Sequence, residues 1–97
     1  MPTYITLFKM TEEGIKDIKN APGRIEENFK TVEAMGCKMI GAYAVMGEYD
    51  YVGIVEAPND EAAMAFALAI GSRGNVRTTT LKAFTREEYA GVVEKLP

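Results

Sequence analysis

The chain has 97 residues, 47% hydrophobic and 26% charged, with a formal net charge of −3; that length and composition suit one globular domain over residues 1–97, and the order of its predicted elements makes it an α+β one. Eleven basic against fourteen acidic residues leave no basic stripe for a nucleic acid, and no apolar run approaches the ~20 residues of a membrane span. Histidine is absent, which removes the commonest general base, metal ligand and haem ligand, so no metal and no cofactor are expected.

The opening Met-Pro-Thr-Tyr-Ile lacks the basic start and long apolar middle of a signal peptide, and a cytoplasmic setting is expected. Thr3 to Met10 is β-branched and aromatic, as a strand should be. Thr11 offers an N-cap, and Glu12 and Glu13 stand well against the helix dipole. The helix runs through Ile15 and Ile18 to a break at Asn20-Ala21-Pro22-Gly23, where Pro22 suits the first turn of a new helix. Ile25, Phe29, Val32 and Met35 follow at helical spacing, and Gly36 is a natural stop. Cys37, the one cysteine, excludes an internal disulfide and reads as a buried small hydrophobe.

Lys38 to Met46 and Tyr49 to Ala57 read as two strands joined by a turn at Gly47-Glu48. Pro58 ends the second, and Asn59 or Asp60 caps an alanine-rich helix that Gly71 or Gly74 terminates. Val76 to Phe84 makes a fourth strand. Thr85 to Glu88 is a capping box that opens a tail helix with Tyr89, Val92, Val93 and Leu96 on its apolar side.

Right-handed crossovers turn this β-α-β-β-α-β-α order into a ferredoxin-like sandwich: a four-stranded antiparallel sheet with helices on one face, plus a short C-terminal helix. The strands do not alternate apolar with strongly polar residues. Ile5 and Leu7 oppose Tyr4, Thr6 and Phe8, and Val52 and Ile54 oppose Tyr51, Gly53 and Val55. A sheet face open to water should be polar, so the second face is expected to be covered, most economically by a second copy in a homodimer or higher homo-oligomer.

Gly47-Glu48-Tyr49-Asp50, followed by Tyr51-Val52 and Val55-Glu56-Ala57-Pro58, closely resembles the GYD-domain family. Tyr4 to Leu7, Thr11 to Gly14, Lys19 to Arg24 and Gly74 to Thr78 extend the likeness over nearly the whole chain. The resemblance implies a ferredoxin-like, dimeric α/β-barrel-type protein of a group without an established activity. The hairpin also resembles the effector-binding domain of leucine-responsive regulators, where a Gly-x-Tyr-Asp turn lies beside an amino-acid site at a subunit interface.

Topology brings the Lys9-to-Gly14 turn, the Gly47-to-Asp50 hairpin and the Ser72-to-Thr78 loop to one edge of the sheet. Thr11, Glu48, Tyr49, Asp50, Arg73 and Arg77 should gather there and form a candidate site for a small zwitterion or carboxylate. The competing reading has Asp50 capping backbone or pairing with Arg77. Tyr4, Thr6, Tyr43 and Tyr51 are candidates for a pocket between subunits, with Tyr43 and Tyr51 expected to share the open face. An anion site beside Lys19 and Arg24 competes with a simple helix bend. The expected function is a non-enzymatic small-molecule-binding or self-assembling module. Its rival is a cofactor-independent enzyme using Tyr, Asp, Glu or Arg.

Overall fold

The β-branched run near the N-terminus forms β1 (Thr3–Met10) in the computed structural model, which describes residues Met1–Pro97. Thr11 ends the strand and caps α1 (Glu12–Lys16), its Oγ1 accepting the Gly14 N–H at 3.2 Å. After a 3-10 turn (Ile18–Asn20), α2 (Ala21–Ala34) begins with Pro22 in its first turn, where a missing N–H breaks no helical bond. β2 (Lys38–Ala44) and β3 (Tyr51–Glu56) make the hairpin. Asn59 caps α3 (Asp60–Gly71) by accepting the Ala62 N–H at 2.8 Å. β4 (Val76–Ala83) leads to α4 (Arg86–Glu94), which Thr85 and Glu88 open with the reciprocal capping box.

The strands lie in the order β2-β3-β1-β4, each pair antiparallel. This is the ferredoxin-like arrangement expected from the element order. The core sits between the sheet and the helices α2 and α3: Tyr4, Phe8 and Val55 from the strands meet Val32, Phe66 and Ile70. Each of the fully buried Val32, Val55, Phe66 and Ile70 contributes about 1.5–3 kcal/mol. Cys37 is buried in the same core, and burial pushes its thiol pKa up.

The hairpin departs from the sequence reading. Its strands stop at Ala44 and resume at Tyr51, so the connection is Val45–Asp50 rather than a tight turn at Gly47-Glu48. The Val45 N–H closes this loop on the Asp50 carbonyl at 2.9 Å. Gly47 takes φ +119°, a conformation that side chains rarely tolerate. A bulge between Met39 and Gly41 inserts Ile40 into β2.

That register overturns the expectation for the tyrosines. Tyr43 pairs with Val52, and Ala44 pairs with Tyr51. Faces alternate along a strand, so Tyr43 and Tyr51 point to opposite sides. Tyr43 is outward and 65% exposed, whereas Tyr51 packs against the buried core from the inner face. Tyr4 and Thr6 are 3% and 0% exposed beneath the helices, so they do not line a pocket across the outer face.

Candidate functional site

The three loops expected at one sheet edge do meet, and they meet by satisfying one another. Thr11 Oγ1 donates to the Gly74 carbonyl at 2.6 Å, and the Thr11 N–H donates to the Asn75 carbonyl at 3.1 Å. The Asp50 N–H donates to the Phe8 carbonyl at 2.8 Å, while its Oδ2 accepts the Met10 N–H at 2.7 Å. β3 begins at Tyr51, opposite Phe8, so no β3 residue stands beside Met10. The Asp50 carboxylate supplies the acceptor that the next strand residue would have offered. Of the two readings for Asp50, backbone capping is the one the geometry contains; it forms no ion pair with Arg77.

The remaining edge candidates take no part in these bonds. Tyr49 is half-buried and Glu48 exposed in the hairpin loop. Arg77 is exposed and stands opposite Lys9 in the β1–β4 register. Arg73 turns away to α2, donating to Asn28 Oδ1 at 2.9 Å and Thr31 Oγ1 at 2.6 Å. Arg24, read as part of an anion site, is engaged within the chain. It donates to the Asp17 carboxylate at 2.8 Å and to the Gly14 carbonyl at 3.1 Å, binding α2 back to α1.

A cluster that sequence reading did not assemble lies between α3 and β4. The Tyr4 hydroxyl donates to Asp60 Oδ1, and Lys82 Nζ reaches the same oxygen at 3.3 Å. Donating to a carboxylate pushes the Tyr4 pKa from 10.0 to about 12, and accepting from Tyr4 and Lys82 holds Asp60 below its ordinary 3.8. Tyr4 and Lys82 are cross-strand partners on the inner face. Asp60 lies 56 residues from Tyr4 in the chain, so no local pattern marks the pair. The groove here, about 770 Å³, is also lined by Thr11 and Arg77.

The outer sheet face has an apolar centre. Across it, Gly41, Ile54, Ile5 and Leu81 form one row and Tyr43, Val52, Leu7 and Thr79 the next. Lys38 and Glu56 lie at one end, Lys9 and Arg77 at the other. No helix covers these residues: Tyr43 and Leu81 are 65% and 47% exposed, and Ile5, Leu7, Val52 and Ile54 are only half-buried. Tyr43 is the one tyrosine candidate on this face. α4 has no buried residue, and Tyr89, Val92, Val93 and Leu96 are all exposed. The radius of gyration, 14.7 Å, exceeds the ~13 Å of a compact chain of this length, as an extended, incompletely packed unit requires.

No group of three acidic or cysteine side chains is placed to hold a metal ion, and no helix is long and apolar enough to cross a membrane. Among solved structures, the leucine response regulatory protein of Mycobacterium tuberculosis matches with a TM-score of 0.65 at 21% identity. That match covers 87% of this chain, which spans about half (51%) of the regulator's length. A protein from Thermus thermophilus matches with a TM-score of 0.58 at 24% identity, covering 88% of this chain and 95% of that one. These likenesses show the fold. A sequence relative, also from Thermus thermophilus and named glutamine synthetase and cystathionine beta-lyase binding protein, is 38% identical over 84 residues, 86% of this chain and 88% of that protein. The GYD domain model matches residues 4–93, and with that span the chain belongs to the GYD domain family.

Proposed function

We propose that this protein is a self-assembling binding module: copies pair through the outer sheet face, and the assembly docks a protein partner. The observation that carries the reading is the uncovered apolar centre of that face with charged residues at both ends. An apolar middle inside a polar rim is the anatomy of a protein interface. A two-fold pairing would bury the rows from Tyr43 to Thr79 and from Gly41 to Leu81 against their own copies. The unpacked apolar side of α4 supplies a second surface, for the same assembly or for the partner. Any small ligand held between paired sheets would meet Tyr43.

The relative named for binding glutamine synthetase and cystathionine beta-lyase supports a protein partner, and we extend that partner class, a metabolic enzyme, to this chain. The catalytic rival calls for a carboxylate with a raised pKa in a closed pocket. The two carboxylates with clear shifts, Asp60 and Glu88, are both lowered, the direction that suits structural hydrogen bonding.

Native mass spectrometry of freshly purified protein at micromolar concentration tests the assembly. A dimer or higher oligomer is expected, and Ile54→Lys should shift it to monomer while the inner core stays intact. A wild-type monomer at that concentration overturns the pairing. Biolayer interferometry against purified glutamine synthetase and cystathionine beta-lyase tests the partner. Saturable binding to either is expected, and binding to neither overturns that partner class.

A further inference from the structure

The helix α2 is only partly seated on the sheet. Its buried residues are Ala21 near the start and Val32 near the end, while Ile25 and Phe29 between them are only half-buried. Beneath that middle stretch runs a cleft of about 520 Å³, bounded on the sheet side by Phe8, Met10, Met39 and Tyr51. Its size falls within the range of small-molecule sites, and like them it is mostly apolar with a few polar groups. Thioethers beside aromatic rings make an adaptable, polarizable wall that accepts an alkyl chain or a flat ring.

Three charged residues line the cleft: Arg24, Glu27 and Arg73. Arg24 is paired with Asp17 and Glu27 with Lys30, whereas Arg73 has no carboxylate partner. Its guanidinium is fixed by neutral oxygens, those of Asn28 and Thr31. An arginine held in place by neutral acceptors keeps its full charge available to an anion, and its fork geometry suits a carboxylate. Just past the C-terminal end of α3, Arg73 is exposed and holds that charge at the solvent-facing rim of the cleft.

The geometry points to a binding site for an amphiphilic monocarboxylate: an alkyl or aromatic body under α2, over Met10, Met39 and Tyr51, and a carboxylate on Arg73. This site lies on the helix-covered side of the sheet. It adjoins the edge formed by Thr11 and Asp50 through Met10 and Asn75, lies on the side opposite the outer face, and needs no second copy.

Decanoate and its neutral counterpart decanol are the probes, titrated into full-length protein carrying ¹³C-methyl methionine. The methionines divide usefully: Met10 and Met39 line the cleft, whereas Met46 and Met64 are exposed elsewhere. Decanoate should shift the Met10 and Met39 methyls saturably and leave Met46 still. Arg73→Gln should weaken decanoate binding roughly tenfold or more and change decanol binding little, while Arg73→Lys should retain part of the decanoate preference. The backbone amide spectrum of each variant reports whether its fold is kept. Failure of decanoate to saturate the Met10 and Met39 shifts overturns the site. Equal shifts at Met46 and Met64 also overturn it, because they mean nonspecific adsorption. Unchanged decanoate affinity in folded Arg73→Gln overturns the role of the arginine. Shifts at Met10 and Met39 that follow protein concentration alone would mean that another copy fills the cleft, which likewise overturns the proposal.

Discussion

The Tyr4 hydroxyl donates to the Asp60 carboxylate, tying the start of β1 to the first turn of α3 across 56 residues of chain. The bond needs a protonated phenol and an ionised carboxylate, and both pKa shifts express that preference. Because the folded Asp60 pKa lies below its ordinary 3.8, its contribution is complete above that value and is lost as the pH falls through the folded pKa. Because the folded Tyr4 pKa is raised to about 12, its contribution is complete below 10.0 and is lost as the pH rises through the folded value. The stability difference between wild type and Tyr4→Phe should therefore be flat through neutral pH and shrink at both extremes. Urea unfolding across pH checks this. A difference that does not shrink at either extreme would dissociate the bond from stability.

Asp50→Ala removes the acceptor at the end of β1. The Met10 N–H, bonded at 2.7 Å, then loses a charged partner at a half-buried position. A loss of about 1–3 kcal/mol is expected. Asp50→Asn keeps a carbonyl acceptor and should lose less. Chemical denaturation of both variants supplies the comparison, and equal stability of wild type and Asp50→Ala would refute the tether.

Gly14 marks where α1 touches the start of β4. A Cβ there would collide with the Asn75 carbonyl oxygen, which also accepts the Thr11 N–H. The Cβ is fixed rigidly to its own backbone and the oxygen it meets is backbone, so neither can swing away. Gly14→Ala should destabilise by about 1–3 kcal/mol through forced displacement. Gly23→Ala is the control: its Cβ meets nothing within 4 Å, and in α2 alanine is the better helix former by about 1 kcal/mol. Opposite signs in urea midpoint are the expected result.

Thr6 is fully buried, and its hydroxyl has no hydrogen-bond partner. It sits mid-strand between Gly53 and Thr80, a place where valine has nearly the same shape. An unsatisfied buried hydroxyl costs about 1–3 kcal/mol, so Thr6→Val should raise the thermal midpoint and stabilise by about 1 kcal/mol or more. A lowered midpoint would mean that the hydroxyl is satisfied in solution, by water or by a moving neighbour.

What the sequence determined by itself rests on signals that act within a few residues. Thr11, Asn59 and the Thr85–Glu88 box each bond a backbone group three positions away, so they announced their helices directly. Pro22 and the β-branched strands did the same, and the element order restricted the topology to one arrangement. The edge shared by Thr11, Asp50 and Gly74 followed from that topology. Only the tertiary structure decided which face Tyr43 and Tyr51 occupy, because a slip of one residue in a loop from Val45 to Asp50 inverts every side chain beyond it. Arg73 meeting Asn28, and Tyr4 meeting Asp60, depend on how far α2 and α3 stand from the sheet. That spacing is set by packing across the whole domain, and it is also what opens the cleft beneath α2.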